Sequence, residues 1–283
     1  MLTRVDRMQI AVHDRAAAEA TFRDLLGAEK VREDRVALLN AGRTVVQAGI
    51  SKFELLQPNG DGLVRQHLDR WGEGLFAAGF STPDLSALCA RLSSHSVLWR
   101  DEGGQAFIEP SQTPGMRMVL SQDAQRTPVG LITWLYEVTN IVDDHKAAAA
   151  FYADAFGLDA SRFSPLASKD YGYKGQLTLF DPPKRLDRIE LSQITDPERP
   201  MGRFAALRGQ SIYMCYVETD NVAGIIERLE RRNARFARRQ DEHNPEGLFV
   251  HPKSLHGVLL GVSRTNLAWA WSGRSELARS GAV

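Results

Sequence analysis

The chain repeats itself. Phe107-Ile-Glu-Pro110, four further residues, Gly115 and an apolar segment closing on Ser121 reappear as Phe249-Val-His-Pro252, four further residues, Gly257 and an apolar segment closing on Ser263. Upstream, Val12-His-Asp, an alanine-rich stretch, Phe22 and Leu26-Gly27 are matched by Val142-Asp-Asp, another alanine-rich stretch, Tyr152 and Phe156-Gly157. So many features in the same order, with constant spacing within each set, mark a duplicated unit. With 283 residues, each copy has enough chain to bury a core of its own.

Composition narrows the partners. The 35 basic side chains are balanced by 35 acidic ones, so no broad field draws the protein to nucleic acid or to an anionic membrane surface. A small molecule is the expected partner. No run of about 18 apolar residues is present, and Met1-Leu-Thr-Arg-Val-Asp lacks the apolar core of a signal peptide, so a cytoplasmic protein is expected. Cys89 and Cys215 sit singly in apolar segments and read as reduced core thiols.

Hydrophobic periodicity divides each half again into two units, each a strand, a helix and then further strands. In the first half Arg7–Val12 reads as a strand and Arg15–Leu26 as a helix stopped by Gly27; strands are expected near Val36–Leu39, Arg43–Ala48 and Lys52–Leu56. Leu75–Ser81, a helix over Asp84–Leu92, Gln105–Ile108 and Met116–Leu120 make the second unit. The second half repeats this with Trp134–Val142, helix His145–Phe156, Tyr173–Phe180 and Asp187–Ser192, then Ser211–Glu218, helix Val222–Arg232, Leu248–His251 and Val258–Val262. Pro128 and Gly130 break both patterns. The expected division is a first domain over residues 1–122, a linker over 123–130, a second domain over 131–265 and a C-terminal tail over 266–283.

This fourfold order resembles the vicinal-oxygen-chelate superfamily, the fold of glyoxalase I, methylmalonyl-CoA epimerase and the extradiol dioxygenases. Its sharpest local match is Phe249-Val-His-Pro-Lys-Ser-Leu-His-Gly-Val-Leu-Leu260, similar to the last strands of the epimerase. The resemblance implies an α+β fold in which four βαβββ units form two cupped mixed sheets.

It also implies a metal on four inward-facing strand positions. In the first half those positions fall on Arg7, Glu54, Ala77 and Val119, a set no divalent cation would choose, with Arg7 and Glu54 expected to meet as an ion pair instead. In the second they fall on Glu137, Glu190, Met214 and Gly261, where a thioether and a glycine cannot complete a site for a hard cation. No metal and no other cofactor is therefore expected. His243, His251 and His256 cluster in sequence and are the one set that could rebuild a metal site of another kind.

Without a metal, the chemistry left is that of two carboxylates. Glu137 and Glu190 on facing strands of the second cup would repel one another and lose hydration, leaving one protonated near neutrality and giving an acid and a base. Tyr216, Tyr171, Tyr173 and Lys174 are candidate donors to an oxyanion. Thr139, Met214, His251 and Lys253 complete the expected substrate-binding set. Glu190 has a competing structural role, pairing with an arginine on a polar face. Glu137 lies in an apolar strand, where a charge needs a partner or a purpose. Glu137→Gln is accordingly expected to abolish turnover and spare stability. The arginines at 228, 231, 232, 235, 238 and 239, interleaved with Glu227 and Glu230, read as a solvated helix face and its exit loop. Trp269 and Trp271 are expected to pack back over a cup or against a second subunit.

The function expected is metal-independent proton transfer, by an isomerase or lyase, on a small carbonyl compound, of which an acyl-CoA thioester is one form. One alternative is a sequestering protein of the bleomycin-resistance type. Another is an extradiol-type dioxygenase with an unconventional metal site. Pairing of two copies, by sheet edges or through the tail, would suit the fold.

Overall fold

Two aspartates in equivalent places start equivalent helices. Asp14 accepts from the amides of Ala16 and Ala17 and opens α1 (Arg15–Leu26); Asp144 accepts from those of Lys146 and Ala147 and opens the corresponding helix of the second half, His145–Phe156. Each carboxylate satisfies amides that the helix cannot. Gly27 and Gly157 end these helices in the left-handed conformation. The computed structural model describes residues 1–239 and 246–278.

The first module contains β1 (Arg4–Ala11), α1, β2 (Glu29–Val36), β3 (Ala41–Ala48), β4 (Ser51–Pro58), α2 (Leu63–Trp71), β5 (Gly74–Thr82), α3 (Leu85–Ser94), β6 (Arg100–Glu102), β7 (Gln105–Ile108) and β8 (Met118–Gln122). The second contains β9 (Trp134–Ile141), α4 (His145–Phe156), β10 (Ser164–Ser168), β11 (Tyr173–Leu177), β12 (Arg188–Ile194), α5 (Pro200–Arg208), β13 (Ser211–Thr219), α6 (Val222–Arg231), β14 (Phe236–Arg238), β15 (Gly247–Val250) and β16 (Leu260–Arg264). Each module forms one eight-stranded sheet, ordered β2-β3-β4-β1-β5-β8-β7-β6 and β10-β11-β12-β9-β13-β16-β15-β14. The first strands of the two units in each module meet antiparallel at the centre of its sheet, and each also pairs parallel with the last strand of its own unit. This is an α+β fold of four βαβββ units in two curled sheets.

One local expectation fails. Val36–Leu39 is not a strand: the strand lies upstream, and Ala37–Leu39 is a 3-10 turn. The true strand, Glu-Lys-Val-Arg-Glu-Asp-Arg-Val, is an exposed sheet edge whose charges hide its strand character while guarding against edge pairing. Helices α2 and α5 and strands β6, β10 and β14 were also not anticipated. Of these, α2 matters most, because it closes the first cup. Val64 and Leu68 are buried with Leu56, Phe76, Phe107 and Val119.

Beneath that packing lies a buried polar knot. Arg7 Nη1 donates to Glu54 Oε1 (2.9 Å), Gln9 Nε2 to Oε2 (2.8 Å) and Arg43 Nη1 to Oε2 (3.1 Å). The expected Arg7–Glu54 pair therefore forms.

The modules share one continuous apolar core. The repeated Pro–Gly turn explains part of the join. Gly115 and Gly257 both have positive φ, 77° and 78°. A Cβ on Gly115 would lie 2.7 Å from the Gln210 carbonyl oxygen, and one on Gly257 1.8 Å from that of Glu73. Each turn thus packs against the chain entering the other module's second unit, which is why the same motif recurs in both halves.

Candidate active site in the second cup

The second cup is open where the first is filled. Its cavity, about 390 Å³, is walled by tyrosines 171, 173, 213 and 216 together with Phe249 and Trp271. Thr139, Met214, Glu190 and Arg239 supply further lining. The tail returns over this cup as a 3-10 turn, Leu267–Trp271, with Ala268 and Trp269 buried and Trp271 on the cavity wall. Packing over a cup was one of the two expected arrangements; the exposure of Trp271 to the cavity was not expected.

Strand alternation accounts for most of this lining, and a bulge accounts for the rest. Glu190 pairs with Thr139 across β12 and β9, and Met214 pairs with Thr139 across β13 and β9. Between Ile212 and Met214 the register shifts, so Tyr213 and Met214, adjacent in sequence, both reach the cavity.

The two carboxylates have separate environments. Glu137 is fully buried and does not line the cavity; Arg188 Nε donates to its Oε2 at 2.6 Å and Thr139 Oγ1 to its Oε1 at 3.3 Å. Arg188, itself without exposure, also donates to Ser272 Oγ (2.8 Å) and lies 5.0 Å from the Tyr136 ring centroid. Glu137 therefore has the partner that its apolar strand demanded, and its expected place as a cavity acid or base is corrected. Glu190 does line the cavity. Ser192 Oγ donates to it at 2.7 Å, and Tyr173 lines the same cavity. Burial, reinforced by the Glu137 charge, pushes its carboxyl up to about 8. Burial and both glutamates push the Tyr173 phenol well up, so that phenol stays protonated as a donor.

Three expected binding residues lie elsewhere. Lys174 is exposed on β11, and alternation turns it away from Tyr173. His251 is exposed and accepts from the Lys253 amide at 3.1 Å as the cap of a short turn. Lys253 lines a different recess beside Thr21 and Glu73. His256 is held between Glu73 (2.9 Å) and Thr21 (3.1 Å), and His243 lies outside the described residues, so His251 and His256 do not converge on the cup. Arg239 was missed because it closes a run of arginines that reads as solvated. Its guanidinium instead turns over Trp271 (4.3 Å) and Phe249 (5.7 Å).

The family metal does not fit these residues. A guanidinium already neutralises Glu137, Met214 is a poor ligand for a hard cation, and the ring of Tyr216 lies across Gly261. No group of three His, Cys, Asp or Glu side chains suited to a metal occurs among the described residues.

Residues 135–262 match the family model for the Glyoxalase/Bleomycin resistance protein/Dioxygenase superfamily. The second module belongs to this superfamily. Among solved structures, a 4-hydroxymandelate synthase mutant from Streptomyces coelicolor covers 98% of this chain and 96% of its own length, with TM-score 0.72 and 14% identity. A fusion of a xylose isomerase-like TIM barrel with 4-hydroxyphenylpyruvate dioxygenase covers 93% of this chain and 49% of its own, with TM-score 0.61 and 12% identity. Both likenesses are of fold. Methylmalonyl-CoA epimerase from Mycobacterium tuberculosis, at 24% identity and TM-score 0.41, covers 47% of this chain and 89% of its own. No curated protein matches the chain. Within the superfamily fold, then, this chain has one cup packed shut and one left as a cavity. No helix among the described residues is long and apolar enough to cross a membrane.

Proposed function

We propose that the second cup transfers a proton at the carbon beside a carbonyl in a small, largely aromatic or apolar compound, with Glu190 carrying the proton. The observation that carries this reading is a buried carboxyl opening into an apolar cavity beside a phenol and a guanidinium. In its ionised form Glu190 is a stronger base than an ordinary carboxylate, because the cavity that raises its proton affinity also withholds water. It takes the proton from carbon and can return it to the same carbon or its neighbour, the balance of an isomerisation. The negative charge left on the carbonyl oxygen needs donors; Tyr173 and Arg239 are among the cavity groups able to supply them. Glu137 acts as a positioning residue, since with Arg188 it forms the charged floor against which Thr139 and Glu190 stand. The thioester form of the substrate rested on Lys253 and loses that support.

A second reading, a protein that sequesters an aromatic ligand, is favoured by the six aromatic side chains around the cavity. Deuterium exchange separates the two. A panel of aryl-substituted carbonyl compounds in deuterated water, followed by NMR, should show exchange beside the carbonyl with the native protein and none with Glu190→Gln. Saturable binding of the panel without exchange would leave the sequestering reading in its place.

A further inference from the structure

Where the modules meet, a separate cavity of about 410 Å³, sharing no lining residue with the second cup's cavity, is lined by Arg70, Arg117 and Arg208 and, among apolar groups, by Leu63, Trp71 and Phe76. Arg70 and Arg117 come from the first module and Arg208 from the end of α5 in the second. The indole of Trp71 carries two of the guanidinium groups, Arg70 at 4.4 Å and Arg208 at 5.0 Å, while Arg117 lies 4.6 Å from the Phe76 ring. Arg208 is further tied to the Trp71 carbonyl oxygen at 3.2 Å. The cations are therefore held by aromatic faces and a backbone carbonyl.

Charge in this cavity is one-sided. No Asp or Glu lines it among the described residues. Arg117 has a carboxylate partner, Glu109, which it shares with Arg100. For Arg208, burial alone acts on the guanidinium, with no acidic neighbour to offset it. His67 also lines the cavity, and its Nε2 is buried without a hydrogen-bond partner. Burial first, and then Arg208 and Arg117, push this imidazole down to about 4, so it stands neutral at physiological pH. One partly buried guanidinium without counter-charge, that of Arg208, next to an unpaired imidazole nitrogen describes half of an interaction.

We propose that this inter-module cavity binds a small organic oxyanion, an aromatic or apolar body bearing a phosphate or a carboxylate. The guanidinium forks of Arg70 and Arg208 would take the oxyanion in two-point hydrogen bonds, and Leu63, Phe76 and Trp71 would take the body. Because the lining comes from both modules, the ligand would bridge them. This inference stands apart from the chemistry of the second cup and survives its failure.

The test is calorimetric titration of the full-length protein with phenyl phosphate, benzoate and inorganic phosphate. The expected result is one site per chain for phenyl phosphate or benzoate, with affinity falling as salt rises. Arg70→Gln and Arg208→Gln should each weaken binding roughly tenfold, while Arg239→Gln in the second cup leaves it unchanged. Arg70 is exposed and holds no buried contact, so its variant folds even if the Arg208 variant does not. The stronger of the two organic probes identifies the anion as phosphate or carboxylate. No heat from any probe, or binding lost in Arg239→Gln and retained in Arg70→Gln, overturns the proposal.

Discussion

The ring of Tyr216 lies over Gly261: a Cβ at residue 261 would stand 2.1 Å from Tyr216 Cε1. The first module holds the mirror arrangement, with Arg7 over Gly79, where a Cβ would stand 2.0 Å from Arg7 Cγ. Tyr216 and Gly79 occupy matching places on β13 and β5, opposite Glu137 and Arg7, and Gly261 and Val119 match on β16 and β8. In each cup a large side chain and a glycine have been fitted together, with the glycine on the last strand in one case and on the central strand in the other. Restoring a ligand at residue 261 is therefore a packing problem before it is a coordination problem.

Gly261→Ala should destabilise the protein by about 1–3 kcal/mol, the range for overpacking a filled site. Tyr216→Ala should relieve most of that cost. A double-mutant cycle by urea denaturation measures the coupling; additive effects of the two substitutions would mean that the ring and the glycine do not constrain each other.

Glu137→Gln should lower stability by roughly 3–5 kcal/mol, because it leaves Arg188 charged and buried without its counter-ion. This replaces the expectation that the substitution spares stability. Arg188→Met combined with Glu137→Leu should recover much of the loss, as read by thermal unfolding of the single and double variants.

Glu190 links stability to pH. Its folded carboxyl titrates at about 8 against an ordinary value of 4.5, so between those values the folded state holds a proton that the unfolded state has released. Stability falls as pH rises through that window and levels above it. Glu190→Gln should flatten this part of the curve and make the protein more stable than the native form at pH 9. If Glu190 is the base, kcat/KM with a productive substrate should rise with pH and level off near 8.

Trp271 should report ligand binding in the second cup. An aromatic ligand stacking in the cavity should alter intrinsic fluorescence, and the change should vanish in Trp271→Phe while persisting in Trp71→Phe. A response carried by Trp71 would locate that ligand in the inter-module cavity instead.

The thiols offer a simple check on packing. Cys215 is fully buried, and burial together with the Glu137 charge pushes its thiol far up. Cys89 is also buried, and burial raises its thiol too. Neither should react with a disulfide reagent until the protein is unfolded, when both should react.

What could be read from the residues alone was local or periodic. Duplication, stop glycines and apolar alternation are carried by the order and spacing of residues along the chain, so the four βαβββ units and two cups were legible without coordinates. The Arg7–Glu54 contact was also legible, because matched strand positions place opposite charges side by side. Partnership across strands was not. Glu137 and Glu190 look alike in sequence, and only the register of β9 with β12 sets Arg188 beside Glu137 and leaves Glu190 facing the cavity. The bulge that brings Tyr213 inward, the helix that closes the first cup, the turn of Arg239 onto Trp271 and the inter-module arginines all depend on segments distant in sequence. The strength of a charge or the reach of a side chain depends on what surrounds it, and those surroundings exist only once the chain has folded.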